Sequence, residues 1–314
     1  MRNEFQDLIR LSRCKECFNK NEECSNNVIK SHSIQNNRIL NKISDNDRGM
    51  VYTFPKGNGI KLIKVGRGKA TTFTGFCGHH DQSIFLPIET KDYCEGDKEQ
   101  EFIFAYRAFA KEYHAKREVT KMYKEGVNGV HIPQIIHLVY ECLTKTMNIL
   151  EEYKIKLNIA LGKKEFNIFE TQLIVFDKEY MLAVSSAFDI KNNELSNNSN
   201  NIDEIKRNIF DYNLIFCTIF PQNRRTFILF TYLKEDSTAI KPIIQKIKDS
   251  CDIEQKKILS NMIAANIENL VLSPSVWNKV SELEKTVFYD LWMEHYTTKE
   301  KIFNPKNINL FIEN

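Results

Sequence analysis

The stretch from Thr71 to Glu89 constrains this chain more than any other. It sets Cys77, His79, His80 and Asp81 within five residues, directly after an alternating run through Phe73, Gly75 and Phe76. Each of those four polar side chains can ligate a metal or move a proton. A Cys and a His set so close usually need partners from elsewhere in the fold, and the N-terminal part supplies candidates in Cys14, Cys17, Cys24 and His32. Cys14-x2-Cys17 has the spacing of a zinc knuckle, in which a tight turn points two thiolates at one ion. Cys77-x2-His80 supplies a second pair, and the first is either Cys14 with Cys17 or Cys17 with Cys24. In a further arrangement His32 is itself a ligand, beside Cys24, Cys77 and His80. Every version predicts Zn2+ as a structural ion, with thiolates explaining how an irregular polar segment folds at all.

Cysteine usage supports a metal over a disulfide framework. Eight cysteines in 314 residues are too few for a disulfide scaffold, and Cys142, Cys217 and Cys251 lie dispersed in apolar or amphipathic runs. The start of the chain is charged and lacks an apolar core segment, so it reads as cytoplasmic and not as a signal peptide. No run approaches the roughly 18 apolar residues that span a bilayer, and no membrane partner is expected. A net charge of +3 does not by itself argue for nucleic acid, although residues 1–90 are mildly basic, with 14 Lys and Arg against 9 Asp and Glu.

Along the chain, residues 4–13 read as a short helix, Val28 and Ile29 as a strand with His32 at its end, and Ile34 to Ile43 as helical. MVYTF and IKLIKVG read as a hairpin across the Gly-rich turn PKGNG. The strand TFTGF then delivers the Cys77–Asp81 cluster, and Pro87 closes that segment. From Lys98 the period changes: Phe102, Ala105, Tyr106, Phe109, Ala110 and Tyr113 recur at three and four, and a second helix follows Pro133 to about Leu161. NIFETQLIVF and YMLAVSSAFDI read as one hairpin across Asp177–Glu179, and DYNLIFCTIF and RTFILFTYL as another across Pro221–Arg224. An Asn/Ser run at 192–201 is a loop. Helices return at 238–250, 252–268 and 275–294. The fold class is α+β: a zinc-bound, treble-clef-like module over 1–95, then a helical pair and an antiparallel sheet with C-terminal helices over 96–314. Arg107 and His114, at a spacing of seven on one helix, read as surface charges.

The Cys and His residues resemble the zinc-containing branch of the HNH (ββα-metal) endonucleases, over about residues 14–89. In that family a Cys-x2-Cys precedes a strand ending in Asp-His, and a later Cys-x2-Cys is followed directly by a His or Asn metal ligand. Here Ser31 and His32 stand where Asp-His would, and the run from Cys77 to Asp81 where Cys-x2-Cys-His would. The resemblance implies a nuclease of DNA or RNA, in bacterial defence or mobile-element biology. His32 would be the general base, Asp81 a ligand of a catalytic Mg2+ or Mn2+, and His79 a further candidate for moving a proton. Ser31 departs from the family, standing in place of a metal-binding carboxylate. The expectation from the other class is a noncatalytic zinc-stapled scaffold, with residues 96–314 binding a protein partner.

Overall fold

The computed structural model describes residues 2–55, 60–127, 134–190, 213–294 and 299–313. Residues 56–59 of the predicted Gly-rich turn, the whole of the loop predicted at 192–201 and the residues around Pro133 lie outside them. Helix α1 (Arg2–Ser12) leads through an irregular segment to strand β1 (Val28–His32). A π-helical turn at Asn36–Leu40 continues into the short α2 (Asn41–Ile43), followed by β2 (Met50–Thr53), β3 (Ile63–Gly66) and β4 (Thr72–Cys77). Helix α3 (Gly78–Glu89) starts where β4 ends, and the two long helices α4 (Lys98–Val127) and α5 (Gln134–Lys163) form the predicted pair.

The C-terminal part comprises β5 (Phe169–Phe176), β6 (Leu182–Asp189), β7 (Leu214–Gln222), β8 (Arg225–Leu233), α6 (Ser237–Lys248), α7 (Asp252–Asn266), β9 (Leu270–Leu272), α8 (Pro274–Lys279), α9 (Glu282–Glu294) and α10 (Lys299–Ile302). Among the described residues the strands form two sheets. β1 and β4 make a two-stranded ribbon, and the others a seven-stranded sheet in the order β3-β2-β9-β6-β7-β8-β5, antiparallel at each junction.

That order corrects one expected hairpin. β5 and β6 are consecutive but do not pair: β5 lies against β8 and β6 against β7. The reason is burial on two faces. β7 and β8 are buried along all but one terminal residue each, so each needs a neighbour on both edges as well as cover above and below. The β5–β6 connection therefore has to pass the end of the β7–β8 hairpin, about 14 Å across three strand spacings. Five residues span at most about 17 Å when extended, which suffices. The crossing is pinned by Thr226, whose Oγ1 donates to Lys178 O at 2.8 Å and accepts from Tyr180 N at 2.8 Å. Arg224 N donates to Glu179 Oε1 at 2.8 Å. The β7–β8 turn itself has φ of 53° at Asn223 and 63° at Arg224, as a two-residue hairpin of primed type requires.

Side-chain alternation divides the apolar residues between two layers. Phe216, Phe220, Phe227 and Leu229 face α4 and the N-terminal ribbon, whereas Ile215, Cys217, Ile228 and Phe230 face α6, α7 and α9. Two further elements depart from expectation. Residues 275–294 are two helices, because Ser281 and Glu284 start a new one by reciprocal capping: Glu284 Oε2 accepts from Ser281 N at 3.1 Å, and Ser281 Oγ from Glu284 N at 3.3 Å. The hairpin β2–β3, from within the 1–95 interval, extends the large sheet through Tyr52↔Leu272 and Thr53↔Val271. The first 95 residues therefore divide between a ribbon of their own and the edge of the common sheet.

Candidate metal centre

The ribbon places the ligands. Val28 pairs with Cys77 and His32 with Thr72, so the loop before β1 and the start of α3 meet at one end of the ribbon, with His32 at the other. Gly75 permits the local fold, since a Cβ there would stand 2.3 Å from the ring of Phe73. The preceding loop is tied down by Phe18. Its N–H donates to Gly75 O at 2.7 Å, and its ring packs edge-on against Phe76, Tyr106, Phe109 and Tyr113. This anchors Cys17. The chain then turns through Cys24 N to Asn21 O at 3.1 Å and brings Cys24 back beside it.

Helix α3 contributes the other pair. Cys77 is its N-cap, with Sγ accepting from His80 N at 3.4 Å. The spacing of three therefore sets the Cys77 thiol and the His80 ring at the same helix end. Pro87 does not close the segment, as expected from sequence. It sits in the last turn of a helix held by buried Ile84, Phe85 and Ile88.

Ligating atoms of Cys17, Cys24, Cys77 and His80 all lie within 4.8 Å of one another. His80 Nδ1 is 3.2 Å from Cys17 Sγ and 3.4 Å from Cys77 Sγ. Tetrahedral Zn2+ with Zn–S near 2.3 Å and Zn–N near 2.0 Å implies S···N edges of about 3.6 Å, so the group is close to the required size. Cys17, Cys77 and His80 are buried and Cys24 half-buried. Burial pushes the Cys17 thiol up to about 12, with Cys77 and Cys24 adding to the rise. Burial acts on Cys77 in the same sense, but hydrogen bonds from Ser25, the His80 N–H and Cys24 outweigh it and lower that thiol. Cys77 is thus the thiol readied as a thiolate. Soft sulfur donors with one imidazole, in a closed set of four, fit a structural Zn2+.

Of the two first pairs left open by the spacing, the structure assembles Cys17 with Cys24. Cys14 stands apart. Its backbone N donates to Glu118 Oε1 at 2.8 Å, its carbonyl accepts from Thr74 Oγ1 at 2.7 Å, and its thiol reaches Ser12 O at 3.6 Å. His32 is also outside the group. Its ring is partly buried, with Nε2 enclosed and without a partner, and the neighbouring Ser31 Oγ is likewise buried and unpaired. Burial holds the His32 pKa below its usual value, against a hydrogen bond to the backbone of Arg67 and the charges of Asp81 and Glu89. Asp81 is half-buried in the first turn of α3. His79 is exposed, with Nε2 4.0 Å from a Glu23 carboxylate oxygen. Among the described residues no group of three potential ligands includes His32 or Asp81, whereas Glu23, His79 and His80 form a second such group.

Sequence reasoning overlooked Glu89 and misplaced Arg107. Arg107 is 4% exposed, donates to Glu89 Oε1 at 2.6 Å and lies 4.1 Å above the Phe85 ring. His114, read with it as surface, is buried, with Nε2 3.0 Å from Cys14 O. A charged residue with apolar neighbours at helical spacing was the available signal. Its acidic partner, 18 residues earlier, was not. Compared with protein-family models, curated proteins and solved structures, the chain matches none. Among the described residues no helix is long and apolar enough to cross a membrane.

Proposed function

We propose that Cys17, Cys24, Cys77 and His80 hold one structural Zn2+ in a treble-clef-like module, and that this module carries HNH-type hydrolysis of nucleic-acid phosphodiester bonds. The observation behind the catalytic part is His32. It ends β1, the strand paired with β4, and α3 follows β4 directly with two zinc ligands at its start. Its Nε2 is unpartnered, and burial favours the neutral ring, the form that accepts a proton near neutral pH. In this reading His32 takes the proton from the attacking water, and Asp81, whose charge acts on His32, is the candidate carboxylate for an exchangeable divalent cation. Such a cation, when bound, polarises the scissile phosphate. His79 faces Glu23 on the outer side of the helix start and is given no part in the reaction.

A second reading is favoured by a different observation. Glu89, the other acid acting on His32, is held by Arg107, and the four zinc ligands form a closed set. Both suit a noncatalytic scaffold presenting a surface to a protein partner. One experiment separates the two: zinc content of the purified protein, with plasmid and RNA cleavage in added Mg2+ or Mn2+ for wild type and His32→Ala. The nuclease reading expects one zinc per chain and cleavage that falls about 100-fold or more in the variant, the usual scale for losing a general base. Cleavage unchanged by His32→Ala, or absent with both nucleic acids, leaves the scaffold.

A further inference from the structure

The zinc ligand His80 has a second ring nitrogen to account for. When Nδ1, which is turned to the thiols of Cys17 and Cys77, binds the metal, the proton of the neutral ring sits on Nε2. His80 is 2% exposed, and Nε2 is buried with no hydrogen-bond partner. A buried donor left without an acceptor is unfavourable. Metal-bound histidines almost always donate this second N–H to a carboxylate, a carbonyl or a water, which fixes the ring and its tautomer.

One carboxylate is placed to accept it. Glu23 directly precedes the ligand Cys24, and His79 directly precedes His80, so these neighbours bracket the outer side of the site. A carboxylate oxygen of Glu23 lies within 4.8 Å of a ring nitrogen of His80. The backbone of Glu23 is fixed by its N–H, which donates to Asn21 Oδ1 at 3.0 Å. Its side chain is 74% exposed, and a carboxylate oxygen stands 4.0 Å from His79 Nε2, beyond hydrogen-bond length. Among the described residues, the exposed side chain of Glu23 is free of any closer packing that would hold it from turning towards the ring of His80 when zinc binds.

We propose that Glu23 is the positioning carboxylate of this centre, accepting the His80 Nε2–H when zinc is bound. The inference rests on the zinc reading above. It ties the loop bearing Cys24 to the helix bearing His80 a second time, outside the metal's own bonds. It also gives Glu23 and His79 different roles although they stand together: Glu23 orients the ligand, and His79 is dispensable.

Competition against a chromophoric zinc chelator tests this on the full chain, with wild type, Glu23→Ala, Glu23→Gln and His79→Ala compared at one pH. Glu23→Ala is expected to weaken zinc binding by about 10- to 100-fold, the usual effect of losing such a partner. Glu23→Gln should fall between, because its amide oxygen accepts without charge, and His79→Ala should match wild type. The Co2+-loaded protein should show a shifted ligand-field band in Glu23→Ala with the same number of thiolate ligands. Equal affinity in Glu23→Ala and wild type overturns the proposal. So do two ions per wild-type chain falling to one in both Glu23→Ala and His79→Ala, which would make Glu23, His79 and His80 a second cation site. A wild-type chain that binds no zinc overturns the zinc reading itself, and the proposal with it.

Discussion

The β1–β4 ribbon with α3 and the seven-stranded sheet both pack on α4 and are held together by different means. The sheet buries nearly every side chain of β7 and β8 between two helical layers, and its stability follows from apolar area. The ribbon has two strands of five and six residues, too little for independent stability in water. It has two other supports: the Cys17, Cys24, Cys77 and His80 group at one end, and the packing of α3 and β4 on α4 along its length. Phe18, Phe76 and Phe85 belong to the same core as Phe216 and Phe220. The ribbon is therefore an extension of one sheet face, with four polar ligands in place of the apolar residues that would otherwise seal its far end.

The sharpest way to break this comparison is to remove the Zn2+ proposed for the Cys17, Cys24, Cys77 and His80 group. Zinc binding is worth about 10 kcal/mol or more in small zinc-dependent units. Chelation or Cys77→Ser should abolish hydrogen-exchange protection in β1, β4 and the first turn of α3, while β7 and β8 keep theirs. Equal loss in both regions would make them one cooperative unit. A smaller effect comes from the aromatic cores. Phe76 and Phe230 are both essentially unexposed, and truncating either to Ala should cost about 3–5 kcal/mol in denaturant unfolding. Only Phe76→Ala should also weaken zinc retention, because Phe76 packs on Phe18 next to Cys17. Smaller again is the ion pair joining α3 to α4. Arg107→Ala leaves Glu89 without its partner and Phe85 without its cation, at a cost of about 2 kcal/mol. That is below the figure for a fully buried pair, because the Glu89 side chain keeps 35% exposure. A double-mutant cycle with Glu89→Gln isolates the pair, and a coupling near zero would assign the cost to packing.

The two regions were also unequally legible in the sequence. The long helices announced themselves by period, since Phe102, Tyr106, Phe109 and Tyr113 line one face, and the β7–β8 hairpin by two apolar runs around a short polar turn. The place of β5 did not. β7 and β8, buried on both faces, have no polar side to fix their neighbours, so adjacency in sequence suggested a β5–β6 hairpin that the sheet's need for cover overrode. Helix α3 was hidden by Gly78, His79, His80 and Pro87, all weak helix formers; the cap at Cys77 and the burial of Phe85 outweigh them. At the metal centre, residue types and the Cys77–His80 spacing could be read directly. The choice of Cys24 over Cys14 could not, because it depends on Phe18 being anchored to β4 and on the turn through Asn21.

The smallest expected effect is a pH dependence, and it arises where α4 meets the ribbon and the segment before it. His114 projects from α4 towards the carbonyl of Cys14, and burial holds its pKa below the ordinary value of 6.5, against the pull of Glu118 and its hydrogen bonds to Cys14 and Thr74. His32 is lowered in the same sense, again chiefly by burial. Between the folded pKa and 6.5 the unfolded chain binds more protons than the folded one, so unfolding free energy rises with pH. The contribution is complete above about pH 6.5 and is lost as pH falls through the folded value, with a slope of at most about 1.4 kcal/mol per pH unit for each group. Urea midpoints of zinc-loaded wild type and His114→Gln, compared at pH 7.5 and 5.5, isolate this term, since proton competition at the zinc ligands is common to both. Wild type should lose more stability than His114→Gln on acidification. If the two fall in parallel, His114 binds protons alike in the folded and unfolded chain. If wild type loses less than His114→Gln, the folded ring is the protonated one and its bond to Cys14 O is that of a charged ring.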